Sequence, residues 1–131
     1  MIVVDSSVLI AVLKEEDGFH SYLEVLGRAA EVVISAATLL EARLVVHNLK
    51  GTVGQGDLDE LLANYAVAVV AFDNQQSRLA FEAFQRFGKG VHPRAKLNFG
   101  DCISYALAKS LNAPLLFKGD DFPHTDIVAA V

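Results

Sequence analysis

The 131-residue sequence predicts an α/β layer fold with a largely parallel sheet. Short β-branched runs recur along the chain, and between them apolar residues return every three or four positions, the signature of strands alternating with helices. Acids stand just after those runs. In parallel sheets that is where sites form, beyond the carboxyl ends of the strands.

Ile2-Val3-Val4 reads as a buried strand, and Asp5-Ser6-Ser7 supplies N-cap chemistry for a helix beginning near Val8. Phe19, Tyr22, Leu23 and Leu26 form the stripe of an amphipathic helix ending around Gly27-Arg28. Val32-Val33-Ile34 is the second strand. Ser35 to Thr38 cap a helix that runs to about Leu49 with Glu41 a turn inside its start, and the loop GTVGQG, residues 51–56, is expected to break it. A helix follows over Leu58 to Tyr65. Val67 to Phe72 is a third strand, with alanines that leave it open to a helical reading, and Leu79, Ala80, Ala83, Phe84 and Phe87 face the next helix inward. That helix stops at Gly88. A basic loop, GKGVHPRAKLNFG, is kept extended by His92-Pro93 and leads into a helix expected over Asp101 to Leu111. Leu115-Leu116-Phe117 is the fourth strand, and Ile127-Val128-Ala129 is a candidate edge strand.

Hydrophobic residues make up 53% of the chain, yet charges interrupt every apolar run before it reaches the ~18 residues of a membrane span. The apolar start lacks a basic n-region and a small-residue cleavage site, so a cytoplasmic protein without a signal peptide is expected. Cys102 is the only cysteine, which excludes an internal disulfide and a zinc ribbon. Net charge is −5, but residues 74–100 carry Arg78, Arg86, Lys89, Arg94 and Lys96 against Glu82 alone, a balance of +4 that leaves −9 elsewhere. The total argues against a purely electrostatic nucleic-acid binder; the clustering of Lys89, His92, Arg94 and Lys96 in one loop argues for a local anion contact.

Asp5 after the first strand, Glu41 on the helix after the second, and Asp120 or Asp121 after the fourth fall at one edge of such a sheet, with Asp101 opening the helix that feeds the last strand. Each has a structural reading of its own. Asp5, Asp101, Asp121 and Asp126 could cap turns or helices, whereas Glu41, within TLLEARLVV, seldom packs unpaired. Taken together the acids would repel one another unless a cation lay among them. Oxygen-only ligands favour Mg²⁺ or Mn²⁺, and such an ion suits phosphodiester hydrolysis, with the basic loop holding the substrate backbone.

IVVDSSVLIAVL, SAATLLEA, LNFGDCISYALAK and LLFKGDDFPHTDI, in this order, span essentially the whole chain. Through these motifs the sequence resembles the PIN-domain ribonucleases, specifically the VapC-type toxins of type II toxin–antitoxin pairs. The resemblance implies a three-layer sandwich, a central mostly parallel sheet flanked by helices, as a single domain over residues 1–131. It implies an endoribonuclease using Mg²⁺ (or Mn²⁺), a homodimer, and a VapB-type antitoxin whose C-terminal segment lies across the active-site groove. Asp5, Glu41 and Asp101 become metal-binding carboxylates, with Ser7 a polar neighbour. For the fourth acid Asp120 is preferred; Asp121, beside it, points elsewhere in an extended segment, and Asp126 stays a third candidate. Asn98 either orients Asp101 or makes an Asx turn, and Lys89, Arg94 and Lys96 are the candidate RNA contacts.

Two other readings compete. One is phosphoryl transfer on an aspartate with Lys118 assisting, but that chemistry wants Asp-x-Asp after the first strand, where Ser6-Ser7 stands. The other is a non-catalytic binding module with a vestigial acidic pocket.

Overall fold

A computed structural model describes residues 1–131. Four strands, β1 (Ile2–Val4), β2 (Val32–Ser35), β3 (Ala68–Val70) and β4 (Leu115–Leu116), form one sheet in the order β3-β2-β1-β4, parallel throughout. Pairing puts Val3 beside both Val33 and Leu115. The central strands are therefore apolar on both faces, as parallel strands covered by helices must be.

Alternation of side chains divides the core in two. Ile2, Val4, Val32 and Ile34 point to one face, where they pack with Val8, Leu9, Leu26, Val46 and Leu58 from α1 (Ser6–Leu13), α2 (Phe19–Arg28) and α3 (Ala36–Asn64). Val3, Val33 and Leu115 point to the other, against Ala83 and Phe87 of α4 (Asn74–Phe87) and Tyr105 and Leu107 of α5 (Phe99–Leu111). The result is the three-layer sandwich that the motifs implied. No helix is long and apolar enough to cross a membrane.

Three elements differ from expectation. The GTVGQG segment is not a loop: only Gly51 leaves helical geometry, at φ 58 and ψ −141, so α3 is a helical hairpin. Arg43 bonds Gln55 at 3.1 Å and Asp59 at 2.9 Å, although residues 43 and 55 would stand ~18 Å apart in a straight helix. Gly54 allows the two arms to meet; a Cβ there would fall 2.7 Å from Val46 Cγ1. The helix expected from Asp101 begins at Phe99, because Asn98 rather than Asp101 is its N-cap. Ile127 to Ala129 adds no strand, only a single bridge from Ala129 to Leu115.

Candidate active site

Asp5 leaves β1 at its carboxyl end and is the N-cap of α1, buried at 4% exposure. Its Oδ2 accepts the backbone N–H of Ser7 at 3.1 Å and the Ser7 hydroxyl at 2.6 Å, while Oδ1 accepts the hydroxyl of Ser104. The cap and the site are thus one feature. Ser7 Oγ also accepts the backbone N–H of Lys118 at 3.0 Å, which ties the segment after β4 to the start of α1.

Glu41 lies on the second turn of α3, where its Oε1 accepts the Ser6 hydroxyl at 2.8 Å. Its carboxylate rests against the backbone of Gly100, where a Cβ would collide with it. That contact brings α3 to the N-terminal turn of α5. There Asn98 and Asp101 form a reciprocal capping box: the Asp101 N–H donates to Asn98 Oδ1 at 2.9 Å, and the Asn98 N–H donates to Asp101 Oδ2 at 3.0 Å. Asn98 therefore both makes the turn and orients the carboxylate.

Burial raises the Asp101 carboxyl to about 7; the Asn98 N–H opposes the rise, and the charges of Asp5, Asp121 and Glu41 add to it. Asp121 is half-buried and its charge is felt at Asp101, whereas Asp120 is exposed. Asp126 is engaged elsewhere. It accepts the Tyr105 hydroxyl at 2.7 Å and Lys109 Nζ at 3.1 Å, with Arg86 at 3.5 Å; burial pushes its carboxyl up, but these partners hold it below the usual value. Lys118 Nζ is spent on Glu16 at 2.8 Å, so it does not face the acids. Burial pushes the Cys102 thiol up to about 11, which keeps it an uncharged packing group.

The basic loop closes through backbone bonds from the Lys89 N–H to the Leu97 carbonyl and from the Leu97 N–H to the Phe87 carbonyl and buries Ala95 and Leu97, while Lys89, Arg94 and Lys96 are exposed. His92 Nδ1 accepts the N–H groups of Arg94 and Ala95 and shapes the turn. The loop runs straight into Asn98. Three residues that bear on the acids escaped the sequence reading: Ser6, Ser104 and Gly100. Ser104 had a signal, since it stands three residues after Asp101 on a helix whose other inward positions are apolar.

The PIN domain family model matches residues 2–128. The chain belongs to the PIN domain family. This PIN domain is 41% identical over 129 residues to Ribonuclease VapC28 of Mycobacterium tuberculosis, covering 98% of this chain and 97% of the relative. It is 42% identical over 127 residues to Ribonuclease VapC of Mycolicibacterium smegmatis, covering 97% and 98%. Among solved structures, Mycobacterium tuberculosis VapC20, a sarcin-ricin loop cleaving toxin, superposes with a TM-score of 0.77 at 18% identity over 98% of this chain and 97% of that one. VapBC2 of Rickettsia felis, bound to a promoter DNA fragment, gives 0.77 at 19% over 98% and 96%. These structures share the fold, and the VapC relatives place the chain among the VapC ribonucleases.

No three His, Cys, Asp or Glu side chains already close around a common point. Mg²⁺ does not require that, because it keeps several waters and takes one or two carboxylates directly. The donors are all hard oxygens, and Asp101 is raised by burial and further by three neighbouring anions that a cation would offset. The residues fit the ion.

Proposed function

We propose that this VapC-type PIN domain is a Mg²⁺- or Mn²⁺-dependent endoribonuclease that acts as the toxin of a VapBC-type toxin–antitoxin pair in the cytoplasm. The observation that carries the reading is the meeting of three elements at one sheet edge: Asp5, after β1, accepts the hydroxyl of Ser104 in α5, and Glu41 of α3 rests against Gly100, next to Asp101 in the first turn of α5. Asp5, Glu41 and Asp101 hold the metal, and Asp121 is a stronger candidate than Asp120 for the fourth acid. An ion held there would supply Lewis-acid activation of water and offset charge on the phosphate.

The chain's own residues do the positioning. Ser7 holds Asp5 and the β4 exit together, Ser6 holds Glu41, and the Asn98 N–H holds Asp101. Lys89, Arg94 and Lys96, on the loop that leads into Asp101, steady the RNA backbone as point charges and guanidinium contacts.

Two exposed apolar faces support protein partners, since monomers rarely leave such patches bare. Phe81, Phe84 and Phe99, the last 85% exposed, border a groove of about 360 Å³ between α4 and α5 and fit a second copy of this chain. Leu40 and Leu44, exposed on α3 on either side of Glu41 in sequence, fit the antitoxin's C-terminal segment. Solved neighbours include a toxin–antitoxin complex from Klebsiella pneumoniae, at a TM-score of 0.71 and 16% identity.

Incubating the purified protein with a pool of structured RNAs and Mg²⁺ or Mn²⁺, and sequencing the fragment ends, tests the reading. Cuts at a few positions that vanish in EDTA are expected. Absence of cutting by folded, metal-bound, antitoxin-free protein would favour a binding module instead.

A further inference from the structure

Asp5 is held from behind by a buried hydroxyl, itself in contact with a second, and neither belongs to the acids or to the Asp5-Ser6-Ser7 turn. Ser104 of α5 donates to Asp5 Oδ1, and Thr38 of α3 lies with its Oγ1 3.3 Å from Ser104 Oγ. Both residues are 1% exposed, so water does not share these bonds.

Hydrogen counting sets the direction. A serine hydroxyl has one proton to give. If Ser104 gave it to Thr38, a lone pair of Ser104 would face a lone pair of the Asp5 carboxylate at hydrogen-bonding distance, which is repulsive. Ser104 therefore donates to Asp5 and Thr38 donates to Ser104. Counting also locates the open side of Asp5. An ionised carboxylate offers about four acceptor directions. Oδ2 uses two, on the Ser7 N–H and hydroxyl, and Oδ1 uses one, on Ser104. The acceptor direction left over lies on Oδ1.

We propose that Ser104, with its proton direction set by Thr38, is a positioning residue that fixes the orientation of Asp5 and reserves one acceptor direction of Oδ1 for the metal. The inference rests on the metal-dependent reading above, and it joins three elements at one atom: β1 through Asp5, α3 through Thr38 and α5 through Ser104. Without Ser104, Oδ1 would lose the only donor that the fold gives it, and Asp5 would be pinned through Oδ2 alone.

The test is calorimetric titration of Mn²⁺ into the metal-free full-length protein, with thermal unfolding of each variant alongside. Hydrogen-bond partners of metal ligands typically contribute ~10–100-fold to metal affinity. Ser104→Ala is expected to weaken Mn²⁺ binding by that factor, and Ser104→Thr, which keeps the hydroxyl, to restore it. Thr38→Val removes only the group that aims Ser104, and it is expected to weaken binding by a smaller factor with Ser104 still present. Wild-type affinity in Ser104→Ala, or no rescue by Ser104→Thr in a folded protein, overturns the proposal. Should Ser104→Ala fail to fold, Thr38→Val decides, and unchanged affinity there overturns the aiming role. If the wild-type protein itself binds no Mn²⁺, the metal-dependent reading falls first, an outcome distinct from wild-type binding that Ser104→Ala leaves intact.

Discussion

Gly100 and Glu41 meet with no room for a side chain between them: a Cβ on Gly100 would fall 2.8 Å from Glu41 Cδ and closer still to one of its oxygens. The contact joins α3 to α5 at the acidic edge. Glycine is costly inside a helix, so its presence in the first turn of α5 has a steric cause.

Gly100→Ala should therefore separate stability from activity. The atom in the way is the end of a flexible side chain, and alanine favours the helix by up to ~1 kcal/mol, so the fold should survive. Glu41 would be displaced, and RNA cleavage should fall ~10–100-fold, the scale on which misplaced ligands and their supports act. Cleavage rates beside melting curves check this.

Asp120 and Asp121 are adjacent, yet Asp120 is exposed, whereas Asp121 is half-buried and its charge helps raise the Asp101 carboxyl. Asp121→Asn should lower cleavage and bring the Asp101 carboxyl closer to its ordinary value. Asp120→Asn should change neither. Side-chain carboxyl NMR titrations of the two variants, with cleavage rates, distinguish them.

The sign of the Asp101 shift dictates a pH dependence for the metal-free protein. Its carboxyl is raised from 3.8 to about 7, so between those values the folded state holds a proton that the unfolded state has lost. The contribution of Asp101 to stability is thus most favourable below pH ~4, declines as pH rises to ~7, and is level above. Thermal unfolding in EDTA from pH 4 to 8 should show this slope in the wild type and lose it in Asp101→Asn. By the same linkage, Mn²⁺ affinity should weaken as pH falls below 7.

Asp126 gives the contrasting case. It fastens the C-terminal segment to α5 through Tyr105 and Lys109 and lies near Arg86 of α4. Tyr105→Phe removes one hydrogen bond and should cost ~1 kcal/mol of stability. Cleavage by the folded variant should be unchanged. Loss of cleavage by folded Asp126→Asn would return Asp126 to the acidic site.

Much of this architecture was legible because the physics behind it is local. Ile2-Val3-Val4 and Val32-Val33-Ile34 are β-branched runs, and acids after such runs fall at the strand ends. The α3 hairpin was not legible. Three glycines in GTVGQG read as a loop, yet Gly51 alone takes a left-handed φ while Gly54 serves close packing against Val46. Ser104 and Thr38 were obscured differently: each stands three residues from an acid on its own helix, but that they meet behind Asp5 depends on how α3 and α5 cross the sheet edge. Nor does sequence decide between adjacent aspartates, since one backbone rotation exchanges which of them faces inward.

On the reading proposed here Asp101 belongs to a metal site that cuts RNA. The test compares wild-type and Asp101→Asn proteins on one RNA that the wild type cuts, at saturating Mn²⁺, with melting temperature in EDTA as the control for folding, because bound metal would itself raise the wild-type value. Asparagine keeps the shape and an oxygen for the Asn98 N–H but removes the charge. A melting temperature no lower than wild type with cleavage reduced ~100-fold or more is expected. Undiminished, EDTA-sensitive cleavage by folded Asp101→Asn would contradict the account.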